Sequence, residues 1–152
     1  MKSVLRQIIE LFPGSTIAVY YDDKGLAIGI PTRVLDGGIL ILSNTEGVET
    51  NAIGICKIVA VTLTDNDSFF NTDGSLKIRF LPPPCPPPIG CEAEYEAAVR
   101  RILESKIPSE VTVNIIAGGN FLEPNPVTGT AYGIAVLGAS TIVSTCSIQD
   151  IR

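Results

Sequence analysis

The chain has 152 residues, 45% of them apolar and only 18% charged, with a net charge of −5 and a pI near 4.6. Its 11 Lys and Arg are scattered, so the sequence lacks the bulk positive field that nucleic-acid binding draws on. It contains no histidine, the commonest general base and metal ligand, and no apolar run approaches the ~18 residues of a membrane span.

Val4, Leu5, Ile8, Ile9, Leu11 and Phe12 recur at helical spacing, and Pro13-Gly14 stops that helix. Strands are predicted at 15–21, 26–35, 39–43, 48–55 and 57–64, separated by turns such as Asp22-Asp23-Lys24-Gly25 and Asp36-Gly37-Gly38. Residues 65–90 read as a connector rich in proline and cysteine. Its run Pro82-Pro83-Pro84-Cys85-Pro86-Pro87-Pro88 favours polyproline II, a semi-rigid spacer. A second helix follows, with Glu92, Glu94 and Glu96 near its positive end and Ala98, Val99, Ile102 and Leu103 as its apolar face. Pro108 stops it. Further strands are predicted at 110–117, 129–137, 140–145 and 147–151, with 118–128 as a long turn around Glu123-Pro124-Asn125-Pro126.

The two halves echo each other. Leu5-Arg6-Gln7-Ile8-Ile9-Glu10 returns as Val99-Arg100-Arg101-Ile102-Leu103-Glu104, and Cys56-Lys57-Ile58 as Cys146-Ser147-Ile148. This predicts two small modules, 1–64 and 91–152, around the 65–90 linker. Halves of about 60 residues hold marginal cores, so each is expected to lean on the other or on neighbouring molecules. The low charge points the same way, toward surface hidden in an oligomer.

Catalytic equipment is missing from the sequence. Without histidine no conventional triad forms, so no catalytic residue, cofactor or metal ligand is assigned and the chain reads as non-enzymatic. Asp22, Asp23, Asp65, Asp67 and Asp73 do not fit a calcium loop, and Gly118-Gly119-Asn120 is too short for a phosphate loop. Neither cysteine pair has the spacing of a zinc knuckle or a redox dithiol. For Cys85 and Cys91 the reading is a structural disulfide, within the chain or between subunits. Cys56 and Cys146, repeat-equivalent at the junction of the last two strands, are either small buried residues or cross-linking thiols. Met1-Lys2-Ser3-Val4-Leu5-Arg6-Gln7 has no apolar signal core, which points to the cytoplasm or to export by another route.

Ile39-Leu40-Ile41-Leu42, followed by Ile55-Cys56-Lys57-Ile58-Val59-Ala60-Val61, resembles divergent Sm-like domains in proteins of spore-forming bacteria, where a Cys-x-Ile element closes the module and a Pro/Cys linker is common. The resemblance implies a mainly β fold: two Sm-like modules, each a short N-terminal helix plus a bent antiparallel sheet or small open barrel of about five strands. It also implies that the fourth strand of one module pairs with the fifth of its neighbour, closing rings or extending filaments. The RNA-binding positions of the family transfer poorly: Asp36 is followed by Gly37 and Gly38, and Ile55-Cys56-Lys57 and Thr145-Cys146-Ser147 replace the Arg-Gly or Lys-His pair. The expectation is a self-assembling structural protein, its partner a further copy of itself, set on a spore surface or extracellular appendage. The alternative is a cytoplasmic Sm-like module that binds RNA or a small ligand.

Overall fold

The computed structural model describes residues 1–82 and 90–152. Helix α1 (Lys2–Leu11) precedes strands β1 (Ile17–Tyr21), β2 (Gly25–Leu35), β3 (Ile39–Ser43), β4 (Glu49–Gly54) and β5 (Ile58–Leu63), with a 3-10 turn Ile55–Lys57 between the last two. Helix α2 (Cys91–Glu104) precedes β6 (Thr112–Ala117), β7 (Asn120–Ala131), β8 (Ile134–Leu137), β9 (Thr141–Ser144) and β10 (Ile148–Ile151), with a 3-10 turn Thr145–Ser147 in the matching place. The protein is mainly β: among the described residues 10 strands, all pairing antiparallel, form one open sheet in the order β10-β6-β7-β8-β9-β5-β1-β2-β3-β4.

Within that order the run β5-β1-β2-β3-β4 is matched by β10-β6-β7-β8-β9, and β9 lies beside β5 where the runs meet. Register irregularities recur in matching places. One lies where β5 meets β1 and again where β10 meets β6, another where β2 meets β3 and again where β7 meets β8. Both long strands bend. β2 pairs with β1 through Gly25–Gly29 and with β3 from Ile30 onward. At the bend a Cβ on Gly29 would lie 3.0 Å from the Ser43 carbonyl and 3.1 Å from Leu42 Cβ, so the close approach needs glycine.

The predicted 118–128 turn is instead most of β7, and the predicted 129–137 strand is broken by a turn at Tyr132-Gly133. Prolines misdirected that reading. Pro124 falls where the β6–β7 register slips and Pro126 opposite Thr112, places that do not require a ladder donor. The apolar face of α2 is also displaced: Glu96, Val99 and Leu103 are buried, whereas Ile102 is 49% exposed. Val99 and Leu103 therefore match Val4 and Ile8 of α1, one step from the alignment that sequence similarity gave.

Two apolar clusters form the core, and each borrows from the other half. Val4, Leu5, Ile8, Ile17, Leu40 and Val61 pack with Ile134, Val136 and Ile142, while Val99, Leu103, Ile115 and Leu137 pack with Val59 and Ala60. Interlocking of this kind is what two marginal cores require. Part of the connector joins in. Phe69 and Ile78 are buried, with the Phe69 ring edge-on to Phe12 at 5.8 Å between centroids. Gln7 clamps the Arg79 backbone in both directions, Nε2 donating to the carbonyl at 2.8 Å and Oε1 accepting from the amide at 2.7 Å. Phe69, Ile78 and the Arg79 backbone thus pack against the first half, while 71–75, Leu81 and Pro82 are exposed. The proline run beyond Pro82, Cys85 included, lies outside the described residues.

Candidate functional site: the seam and two strand edges

Near-continuous apolar runs bury both faces of β5 and most of β9, and their pairing joins the halves. Ala60 faces Val143, Val61 faces Ile142 and Thr62 faces Thr141. The Thr62 and Thr141 hydroxyls lie 2.9 Å apart, and Leu63 N donates to the Ser140 carbonyl at 2.9 Å. At the far end of the seam the Gly118-Gly119 turn sits against the first half. A Cβ on Gly118, whose φ is +53°, would come within 2.5 Å of Val59 Cγ1. Asn120 Nδ2 closes the contact by donating to the Tyr21 carbonyl at 2.9 Å.

Two strands have one neighbour only among the described residues: β4 pairs with β3, and β10 with β6. In the matched strand orders β4 holds the place of β9, and β10 the place of β5. The edges therefore repeat the pair of strands that meets at the seam. Ile55 N donates to the Gly38 carbonyl at 2.8 Å, so by alternation Ile53 and Asn51 turn their backbone groups toward β3 and Ala52 turns its own outward. Glu49, Thr50, Asn51 and Ala52 are exposed, and β4 carries neither the proline nor the lysine with which natural edges are blunted.

Cys56 and Cys146 lie in the two 3-10 turns beside these strands and are exposed. They occupy the predicted junctions but are not buried strand residues, because each sits in the turn where the chain leaves one strand for the next. The surrounding protein pushes the Cys146 thiol above its ordinary pKa, first by desolvation and then through the Glu96 and Glu92 carboxylates. Cys91 begins α2, while its proposed partner Cys85 lies outside the described residues, as does the disulfide between them.

The remaining sequence candidates resolve locally. Asp65 accepts from Thr16 N and Asp67 from the Ser15 hydroxyl, tying the connector to the segment before β1, while Asp73 accepts from Ser75 within its own turn. Hydrogen bonding to Ser75 holds the Asp73 carboxyl below its usual pKa. Asp22 pairs with Lys57 at 3.3 Å, within a polar cleft of about 530 Å³ that Lys24, Gly118, Gly119 and Gln149 also line. Asp36 is an exposed turn residue whose carbonyl meets Lys2 Nζ at 3.5 Å. Among the described residues no three Cys, Asp or Glu side chains converge as a metal site, and no helix is long and apolar enough to cross a membrane.

Sequence reasoning missed Glu96. Its side chain is 2% exposed and its Oε1 accepts from Gly133 N at 2.9 Å, Thr145 Oγ1 at 3.2 Å and Arg100 Nε at 3.2 Å, while Oε2 has no partner. Its spacing to Arg100 was the available signal. The Tyr95 hydroxyl donates to the Ile148 carbonyl, so α2 is also fastened to the start of β10. No family model, curated protein or solved structure matches the chain.

Proposed function

We propose that this chain is a non-enzymatic structural protein of two Sm-like modules that self-assembles by strand-edge pairing, β4 of one copy against β10 of the next. The seam between β5 and β9 carries the reading, because it is one worked instance of that pairing. Val143 faces Ala135 as Ile53 faces Leu40, and Ala60 faces Tyr20 as Asp150 faces Ile116. Transposing the seam register therefore sets Ile53 opposite Asp150 and Ala52 opposite Ile151. The contact is heterologous, so copies close into a ring or continue as a filament according to the rotation between them. The exposed cysteines flank the pairing strands and are positioned to stiffen an assembly. The spore-surface or appendage setting rests on the family resemblance.

The test is Ala52→Pro, which removes one outward-facing donor and no bond to β3. Light scattering and negative-stain imaging of the wild type are expected to show oligomers, and the variant is expected to remain a folded monomer. A wild type monomeric at every concentration up to about a millimolar, a ceiling set by useful affinities, would refute the proposal. Salt-sensitive binding of single-stranded RNA by that monomer would favour the RNA-binding alternative.

A further inference from the structure

We propose that a groove on the second half, lined by Ile107, Glu110, Pro126, Val127 and Thr128, receives the 44–48 turn of a neighbouring copy, with Val48 as its apolar plug. This inference rests on the edge-pairing reading and adds a second contact to it.

The first half shows what such a groove takes. Phe12 follows α1 and is covered by Phe69 of the connector, whose ring is fully buried. In the second half Val99 and Leu103 match Val4 and Ile8, and the same four-residue step places Ile107 where Phe12 stands. Val127 faces Leu137 as Pro31 faces Leu42, so the other wall matches too. Here no described residue takes the part of Phe69. The groove is open, with a volume of about 390 Å³, and Val111 nearby in the chain is 52% exposed.

The direction from which a filler arrives is also given by the seam. Phe69 is held against Phe12 by the turn between β8 and β9, its amide donating to the Ala139 carbonyl at 2.8 Å. At the transposed contact the corresponding element is the turn between β3 and β4 of the next copy. That turn is longer, spanning 44–48 where its counterpart spans 138–140, so it has the length to reach the place that Phe69 fills in the first half. It presents Val48, which is 57% exposed in the isolated chain. The turn is also rigid. Asn44 Oδ1 accepts from Glu46 N at 3.0 Å and Val48 N at 2.9 Å, and Asn44 N donates to the Val48 carbonyl at 2.9 Å. A pre-organised apolar turn loses little freedom on docking.

The experiment uses the full chain with Cys56, Cys85, Cys91 and Cys146 replaced by serine. Val48→Cys and Glu110→Cys are made separately, mixed and oxidised, alongside Ala52→Cys with Ile151→Cys as a probe of the edge itself. Both mixtures are expected to yield a disulfide-linked heterodimer. In the otherwise native chain, Val48→Asp should weaken association by about tenfold or more, as loss of one buried aliphatic contact does, with an unchanged circular dichroism spectrum. If the edge pair cross-links while Val48→Cys and Glu110→Cys do not, and Val48→Asp associates like wild type, the docking is wrong and edge pairing stands. If neither pair cross-links and the chain stays monomeric, edge pairing fails and takes the docking with it.

Discussion

Replacing Glu96 by alanine isolates the contact on which the second half depends. The carboxylate joins three elements: it accepts from Gly133 between β7 and β8, from Thr145 after β9, and from Arg100 one turn along α2. Removal leaves the Gly133 amide and the Thr145 hydroxyl without their acceptor, and Thr145 is fully buried. Each unsatisfied buried group costs roughly 1–3 kcal/mol. Arg100 keeps Glu104 at 3.2 Å and is 28% exposed, so it contributes less. Gly133 is only half-buried and its amide can turn to water, and relief from desolvating the carboxylate offsets part of the loss, which gives a net destabilisation of about 1–3 kcal/mol. Against a total of roughly 5–15 kcal/mol that is a large share. Glu96→Gln keeps one carbonyl oxygen for the same donors and should cost less than half as much. Urea unfolding by circular dichroism, in an Ala52→Pro background expected to stay monomeric, measures both. An alanine variant within about 0.5 kcal/mol of its parent, the range of ordinary surface substitutions, would refute the argument.

Three further outcomes follow from the same geometry. With Cys146 as the single remaining thiol, its alkylation rate should rise through a midpoint above the ordinary thiol value of 9.0, and Glu96→Gln should lower that midpoint; an unshifted profile by stopped alkylation and mass spectrometry would count against the carboxylate influence. Gly118→Ala should cost about 2–4 kcal/mol, since it combines a left-handed backbone with a clash against Val59, whereas Gly133→Ala, with φ of +76° and open space around it, should cost only about 1 kcal/mol by thermal melting. Equal losses at the two glycines would remove the close approach as the cause. Phe69→Ala should cost about 3–5 kcal/mol by urea unfolding, against almost nothing if the connector merely linked two modules.

Much of the element pattern was legible because strong punctuation surrounds it. Pro13-Gly14 follows the end of α1, Pro108 falls in the 3-10 turn Ile107–Ser109 just after α2, and glycine-bearing turns separate the strands. The errors have physical causes. Pro124 and Pro126 disguised β7, because their tolerance depends on a register slip that only the β6 pairing reveals. Phe69 and Ile78 were lost among Asp, Asn and Ser, residues that ordinarily mark a solvated loop. In α2 the conspicuous apolar residue Ile102 drew the alignment one step off, since nothing local says that Glu96 is buried. That depends on Gly133 and Thr145, which approach only after the strands of the second half have paired. The seam between β5 and β9 was not legible in the residues themselves, since short apolar strands carry no label of their partner.

The two kinds of seam differ in a way that sets the unit of assembly. The contact of β5 with β9 is backed by interlocked cores, by buried Phe69, whose amide reaches the Ala139 carbonyl, and by covalent connection, which raises its effective concentration far above that of any separate copy. A contact of β4 with β10 would have the strand ladder and the Val48 docking, without shared core residues. Dilution should therefore release whole 16.1 kDa chains that remain folded, never separated halves. Their unfolding should be one cooperative transition, because Ile134, Val136 and Ile142 cannot leave the first core without exposing it. Two resolved transitions in a monomeric sample would show that the halves are independent, and the reason for expecting partners at the outer edges would weaken with them.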